Sequence, residues 1–146
     1  MYNDKPLMAA IIGSLSTISA EIVSRIMLYF GIGQYSIYLL DSLVLTLNRP
    51  NFLLGLYINF SIGGLVGIMF YYALKTIGQT NLLIKSTFVG LVSSAFAEIL
   101  LSAIVEGKYI PDRPIGDYYL HIVGATLFGL TMGIAFKYCI FKNTAN

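Results

Sequence analysis

Residues 52–74 read FLLGLYINFSIGGLVGIMFYYAL, 23 consecutive positions without an Asp, Glu, Lys or Arg. A helix rises about 1.5 Å per residue, and about 20 apolar residues suffice to cross the hydrocarbon core of a bilayer. Only helices and closed barrels satisfy their backbone hydrogen bonds in lipid. No alternation of apolar and polar residues competes here, so the run reads as a helix long enough to span. Three further runs have the same character, at about 8–30, 84–105 and 118–138. Together they predict an all-α protein, an integral membrane four-helix bundle forming a single transmembrane domain over residues 1–146.

Composition agrees. Apolar residues make up 57% of the chain and charged residues 11%, against about 25% charged in an average soluble chain. Mean hydropathy is +0.77. The net charge of +2 and the lack of any basic run give no reason to expect a nucleic-acid partner. The single cysteine, Cys139, has no intrachain partner for a disulfide. Only Lys5 precedes the first run, which continues well beyond the roughly 7–15 apolar residues of a signal-peptide core, so the segment is read as retained.

The connections differ in kind. Spans two and three are joined by the short KTIGQTNLLIK (75–85). EGKYIPDRPIGD (106–117) joins spans three and four, and its Pro111, Pro114 and Gly116 predict turns. The first connection contains YSIYLLDSLVLTLNRP (35–50), apolar but carrying Asp41, Ser42 and Thr46. It is too short to span, which predicts an extra interfacial or re-entrant helix over about 35–48. Lys5, Lys75, Lys85, Lys137 and Lys142 fall on one side; Arg49, Lys108 and Arg113 fall on the other. The positive-inside rule then predicts a multi-pass protein of the cell membrane with both termini cytoplasmic.

An internal match suggests a duplicated two-helix hairpin. An offset of 77 lays Gly13 on Gly90, Ser16 on Ser93, Ala20 on Ala97 and Glu21 on Glu98. An offset of 62 lays Tyr57 on Tyr119, Leu65 on Leu127 and Gly67 on Gly129, with Asn59 on His121. The offsets differ by 15 residues, about the length of the extra segment. Two hairpins so related would be parallel repeats about an axis along the membrane normal. Gly63 and Gly67 in span two, and Ala125, Gly129 and Gly133 in span four, lie one turn apart and predict close helix packing.

Four polar residues stand inside the runs: Glu21, Glu98, Asn59 and His121, all in the half nearer the first and third connections. A charged group at the bilayer centre costs on the order of 3 kcal/mol and normally faces the bundle interior or water. Arg25 lies four residues after Glu21 on the same helical face, an ion-pair candidate. Glu98 has only Ser94 and Ser102 one turn away and no charge of its own to answer it. Two readings follow: polar residues that lock helices together, or a proton or cation site built from Glu98, Glu21, Asn59 and His121. No HExxH or ExxH spacing suggests a metal, and neither a P-loop nor a G-x-S-x-G motif suggests an enzyme. No cofactor is expected.

The stretches NRPNFLLGLYINFSIGGLVGIMFYYAL (48–74) and HIVGATLFGLTMGIAF (121–136) resemble small four-span membrane proteins of Gram-positive bacteria without an assigned activity. That resemblance implies the four-span fold and transfers no residue role. The expectation is therefore a proton or cation transporter or channel subunit, with Glu98 as its ion-responsive group. The alternative is a non-transporting scaffold or accessory subunit. Expected partners are the lipid bilayer and either a second copy of the chain or another membrane protein.

Overall fold

The computed structural model describes residues 4–141; Lys142, counted above for orientation, lies outside them. The described residues form five α-helices: α1 Lys5–Tyr29, α2 Ile37–Thr46, α3 Phe52–Ile77, α4 Leu82–Ile104 and α5 Ile115–Ala135. A π-helical turn, Phe136–Ile140, continues α5. Four of the helices, α5 with its π turn among them, are long and apolar enough to cross a membrane, consistent with a multi-pass membrane protein.

Local chemistry sets the ends. α1 starts earlier than the apolar run because Asp4 caps it, its Oδ1 accepting the Leu7 N–H at 3.1 Å, with Pro6 in the first turn. Asn51 caps α3 in the same way through the Leu54 N–H at 3.1 Å. α5 begins directly after Pro114, so Gly116 lies in its first turn and not in the connection as expected. The bare Gly116 leaves room for the backbone of Gly33, which a side chain would crowd.

The long helices form a curved row in the order α3, α1, α5, α4, each antiparallel to its neighbour. At the α1–α3 contact a side chain on Gly13 would collide with the Gly63 carbonyl, and one on Gly67 with the Ala9 carbonyl. At the α4–α5 contact Gly90 meets Ala125 and Gly129 in the same manner. Small residues let these backbones touch, which is how helices associate where lipid removes the hydrophobic drive. The buried face of α1 is accordingly small (Ala9, Gly13, Ser16, Thr17, Ala20), whereas Leu7, Ile11, Leu15, Ile22 and Ile26 are exposed.

The row does not close. α3 and α4 scarcely touch, and α2 is wedged between them at the end of the bundle that carries the α1–α2 and α4–α5 connections. α2 crosses α3 at Gly55, where a side chain would strike the Tyr38 carbonyl. Leu40 and Leu43 pack on Leu101, Val105 and Ile110, so the short helix is buried rather than spread on a surface.

Gly13→Ala should force α1 and α3 apart, because the obstacle is backbone, at the overpacking cost of about 1–3 kcal/mol. Gly64→Ala crowds only a side-chain atom, the Ser14 hydroxyl, with the Ala10 carbonyl at ordinary contact distance, and should be milder, costing at most the Ser14 bond to the Phe60 carbonyl. Thermal unfolding of the two variants in detergent measures the difference; equal midpoints would contradict the glycine-contact account.

Candidate functional site

Polar chemistry gathers at the connection end. The first N–H groups of a helix have no partner within it, and Ser36, the N-cap of α2, offers no side-chain bond. Glu21 of α1 supplies the missing acceptor: its Oε2 takes the Tyr38 N–H at 2.9 Å, and Ser24 Oγ takes the Ile37 N–H at 3.3 Å. A carboxylate here also faces the positive end of the helix dipole. Arg25 Nε completes the pair expected from sequence, at 2.7 Å from Glu21 Oε1, with its guanidinium over the Phe52 ring. Tyr38 reaches back to α1, its hydroxyl 2.8 Å from Thr17 Oγ1. Glu21 is thus engaged in holding α2.

Asp117, in the first turn of α5, does related work. It is fully buried, and its Oδ1 accepts the Gln34 N–H at 2.6 Å, tying the α1–α2 connection to α5.

Glu98 is not without a cation, and the expectation from its helical neighbours is corrected. Arg113, in the α4–α5 connection, places Nη2 2.7 Å from Glu98 Oε2 and 3.2 Å from Glu106 Oε2. The prolines around Arg113 fold the connection back over α4, a contact that no search along one helix detects. The guanidinium is 1% exposed and lies over the Tyr118 ring. Glu106 also accepts the Arg113 N–H at 2.8 Å and the Tyr118 and Ser102 hydroxyls. Burial opposes ionisation of Glu106, but these bonds, those from Arg113 foremost, outweigh it and hold the carboxyl at about 2. The other oxygen of Glu98 lies against His121 Nδ1.

His121 is 4% exposed, and its Nε2 has no hydrogen-bond partner among the described residues. With Nδ1 facing a carboxylate, which only accepts, Nδ1 carries a proton in either charge state of the ring, and Nε2 is the ring atom left without a partner among the described residues. The ring lines a cavity of about 250 Å³ beneath α2, between α3 and α4. Its walls are mostly apolar; Asp41, Asn59 and His121 mark its polar end, with Ser93 and Ser94 along α4. Asp41 Oδ2 accepts from Asn59 Nδ2 at 2.9 Å, and Asn59 also donates to the Gly55 carbonyl. Burial pushes the Asp41 carboxyl up from the ordinary carboxylate range, with His121 and the Asn59 bond opposing. Ile62 of α3 and Phe96 and Leu100 of α4 line the cavity and are themselves exposed, so its mouth lies on the seam between these helices.

Of the four residues singled out from sequence, Glu98 touches His121, and His121 and Asn59 share the cavity, which Glu21 does not line. Sequence reasoning placed Asp41, Arg113, Glu106 and Asp117 at this end but did not count them among the candidate site residues. The available signal for Asp41 was a carboxylate in an otherwise apolar ten-residue helix. Among the described residues no group of three His, Cys, Asp or Glu side chains could hold a metal ion. Comparison with protein-family models, with curated proteins and with solved structures finds no match to the chain.

Glu21→Ala should strand the Tyr38 N–H, at about 1–3 kcal/mol, and speed hydrogen exchange over residues 37–46; Glu21→Gln keeps an acceptor oxygen and should be milder. The Glu106 carboxyl is depressed, so its contribution to stability is complete above the ordinary value of 4.5 and is lost as pH falls to about 2. The Arg113 amide resonance should therefore titrate with a midpoint near 2 rather than 4.5. Glu106→Gln should abolish that titration.

Proposed function

We propose that the protein is a small membrane transport protein for protons or cations whose cargo site is the cavity between α3 and α4. The observation that carries this reading is Asp41: a carboxyl whose one side-chain hydrogen bond among the described residues comes from Asn59, at the polar end of an apolar cavity beside a His121 nitrogen that has no partner among them. An ionisable group facing an internal cavity at this depth marks an ion or substrate path more readily than a packing role. Glu98 then acts as a positioning residue, holding the His121 ring, and is not the ion-responsive group itself. With the termini in the cytoplasm, as the lysine bias suggests, the cavity lies in the outer half of the bilayer.

The duplication reading gains support from contacts. Gly13 meets Gly63 and Gly67 as Gly90 meets Ala125 and Gly129, and these are the residues that the offsets of 77 and 62 pair. Glu21 and Glu98, paired by the same offset, each pin a connection at the same end. In a duplicated bundle the counterpart of the close α1–α5 contact is α4 against α3, the seam that α2 holds open.

A second reading, a non-transporting scaffold or accessory subunit, is favoured by one observation: Glu21, Glu98 and Glu106 are all spent on holding connections. Reconstitution in liposomes separates the two. Transport predicts a flux of protons or cations that falls on the order of tenfold or more in Asp41→Asn, the effect of losing a hydrogen bond to a charged group. Glu21→Gln, outside the cavity, should leave it within about twofold, as for sites that do not couple. A parent protein that carries no flux would establish the scaffold.

A further inference from the structure

Arg113 is shared by Glu98 and Glu106 at this end of the bundle. Asp41, on the cavity side, is therefore an acidic group that no Lys or Arg among the described residues answers. Its hydrogen-bonding capacity is equally one-sided. Among the described residues Asp41 makes one side-chain hydrogen bond, accepted at Oδ2 from Asn59, and His121 Nε2 makes none. Asn59 Nδ2 already donates to Asp41 and to the Gly55 carbonyl. A cation that brings N–H donors would complete this end, because it would supply the missing partner of Asp41 and itself favour the ionised carboxylate.

The walls set the rest of its chemistry. Val66, Phe128 and Leu100 offer a hydrated inorganic ion nothing in exchange for its water, whereas they match a hydrocarbon body. At about 250 Å³ the cavity is smaller than the roughly 300–1,000 Å³ of pockets for drug-sized molecules. One ring or one short chain fits. The mouth, rimmed by Ile62, Phe96 and Leu100 and opening sideways between α3 and α4, admits an amphiphile dissolved in the apolar surroundings.

We propose that the cavity binds an organic primary ammonium ion with a compact apolar body, its NH3+ group held by Asp41 and His121 and its body between α3 and α4. The inference rests on the reading of the cavity as a cargo site and names the class of cargo. Lipid tails share the apolar chemistry but bring no charged donor to Asp41.

The chain contains a single histidine, so 15N-labelled histidine in tag-free protein reports on this ring alone. The protein in detergent micelles is titrated with 2-phenylethylammonium, with its N-trimethyl derivative and with 2-phenylethanol. The expected result is a saturable shift of the His121 Nε2 resonance with the primary amine. Affinity should be about tenfold or more lower for the trimethyl derivative, which lacks N–H donors, and lower again for the neutral alcohol. Asp41→Asn should weaken amine binding by a similar factor. An equal response to amine and alcohol would assign the cavity to apolar occupants, and no response to the amine would overturn the proposal; both outcomes are read in the parent protein, whether or not the variant folds. Amine binding by a protein that carries no flux in liposomes would sustain this inference and overturn the transport reading. Flux that depends on Asp41, without any response to the amine, would do the reverse.

Discussion

A backbone N–H enclosed by apolar side chains must find an acceptor, and at the start of α2 that acceptor is the Glu21 carboxylate. The rest of the connection end follows from this bond. It fixes a ten-residue helix in the interior of a bundle, where its remaining face can pack on Leu101 of α4 and Val105 just beyond it, and its Tyr38 backbone can rest on Gly55 of α3. A helix in that position keeps α3 and α4 from meeting. The cavity is the space they would otherwise fill, and Asp41 is the polar residue that the wedge carries into it.

The carboxylates of this end divide by what answers them. Glu21 has Arg25 and the α2 amides; Glu98 and Glu106 share Arg113; Asp117 takes the α1–α2 connection through Gln34. Each ties a segment outside the long helices to the helices themselves. Buried charges that are paired and hydrogen-bonded in this way are strongly sensitive to removal of one partner, although the pair itself adds little net stability. Asp41 differs in facing a cavity with a neutral amide as its hydrogen-bond partner. That contrast, rather than depth alone, separates a group that can respond to a ligand from groups that only fasten.

The long helices were legible because each is an uninterrupted apolar run of sufficient length, a property of consecutive residues. Gly63, Gly67, Ala125 and Gly129 were legible as packing positions from their spacing, and they do face helix contacts. The Glu21–Arg25 pair was legible because both ends lie on one helix turn. What escaped depends on chain reversal. Arg113 reaches Glu98 only because a proline-rich connection folds back, and the sequence of α2 leaves an interfacial and a re-entrant position equally open until Glu21 and Gly55 are seen to draw it inside. Asp41 was visible as an acid in an apolar segment, but its neighbours Asn59 and His121 come from two other helices.

The two glycine contacts and the open seam give the bundle an uneven stiffness. α1 with α3, and α4 with α5, meet backbone to backbone, with no side chain between them to yield. Opposite α1 and α5, the row is joined mainly through one short helix, which is held by hydrogen bonds to α1 and by packing on Gly55 and Leu101. A force that squeezes or spreads the bundle would thus be borne by the two hairpins and taken up at the seam, so the width of the gap between α3 and α4 is the coordinate along which this architecture yields first.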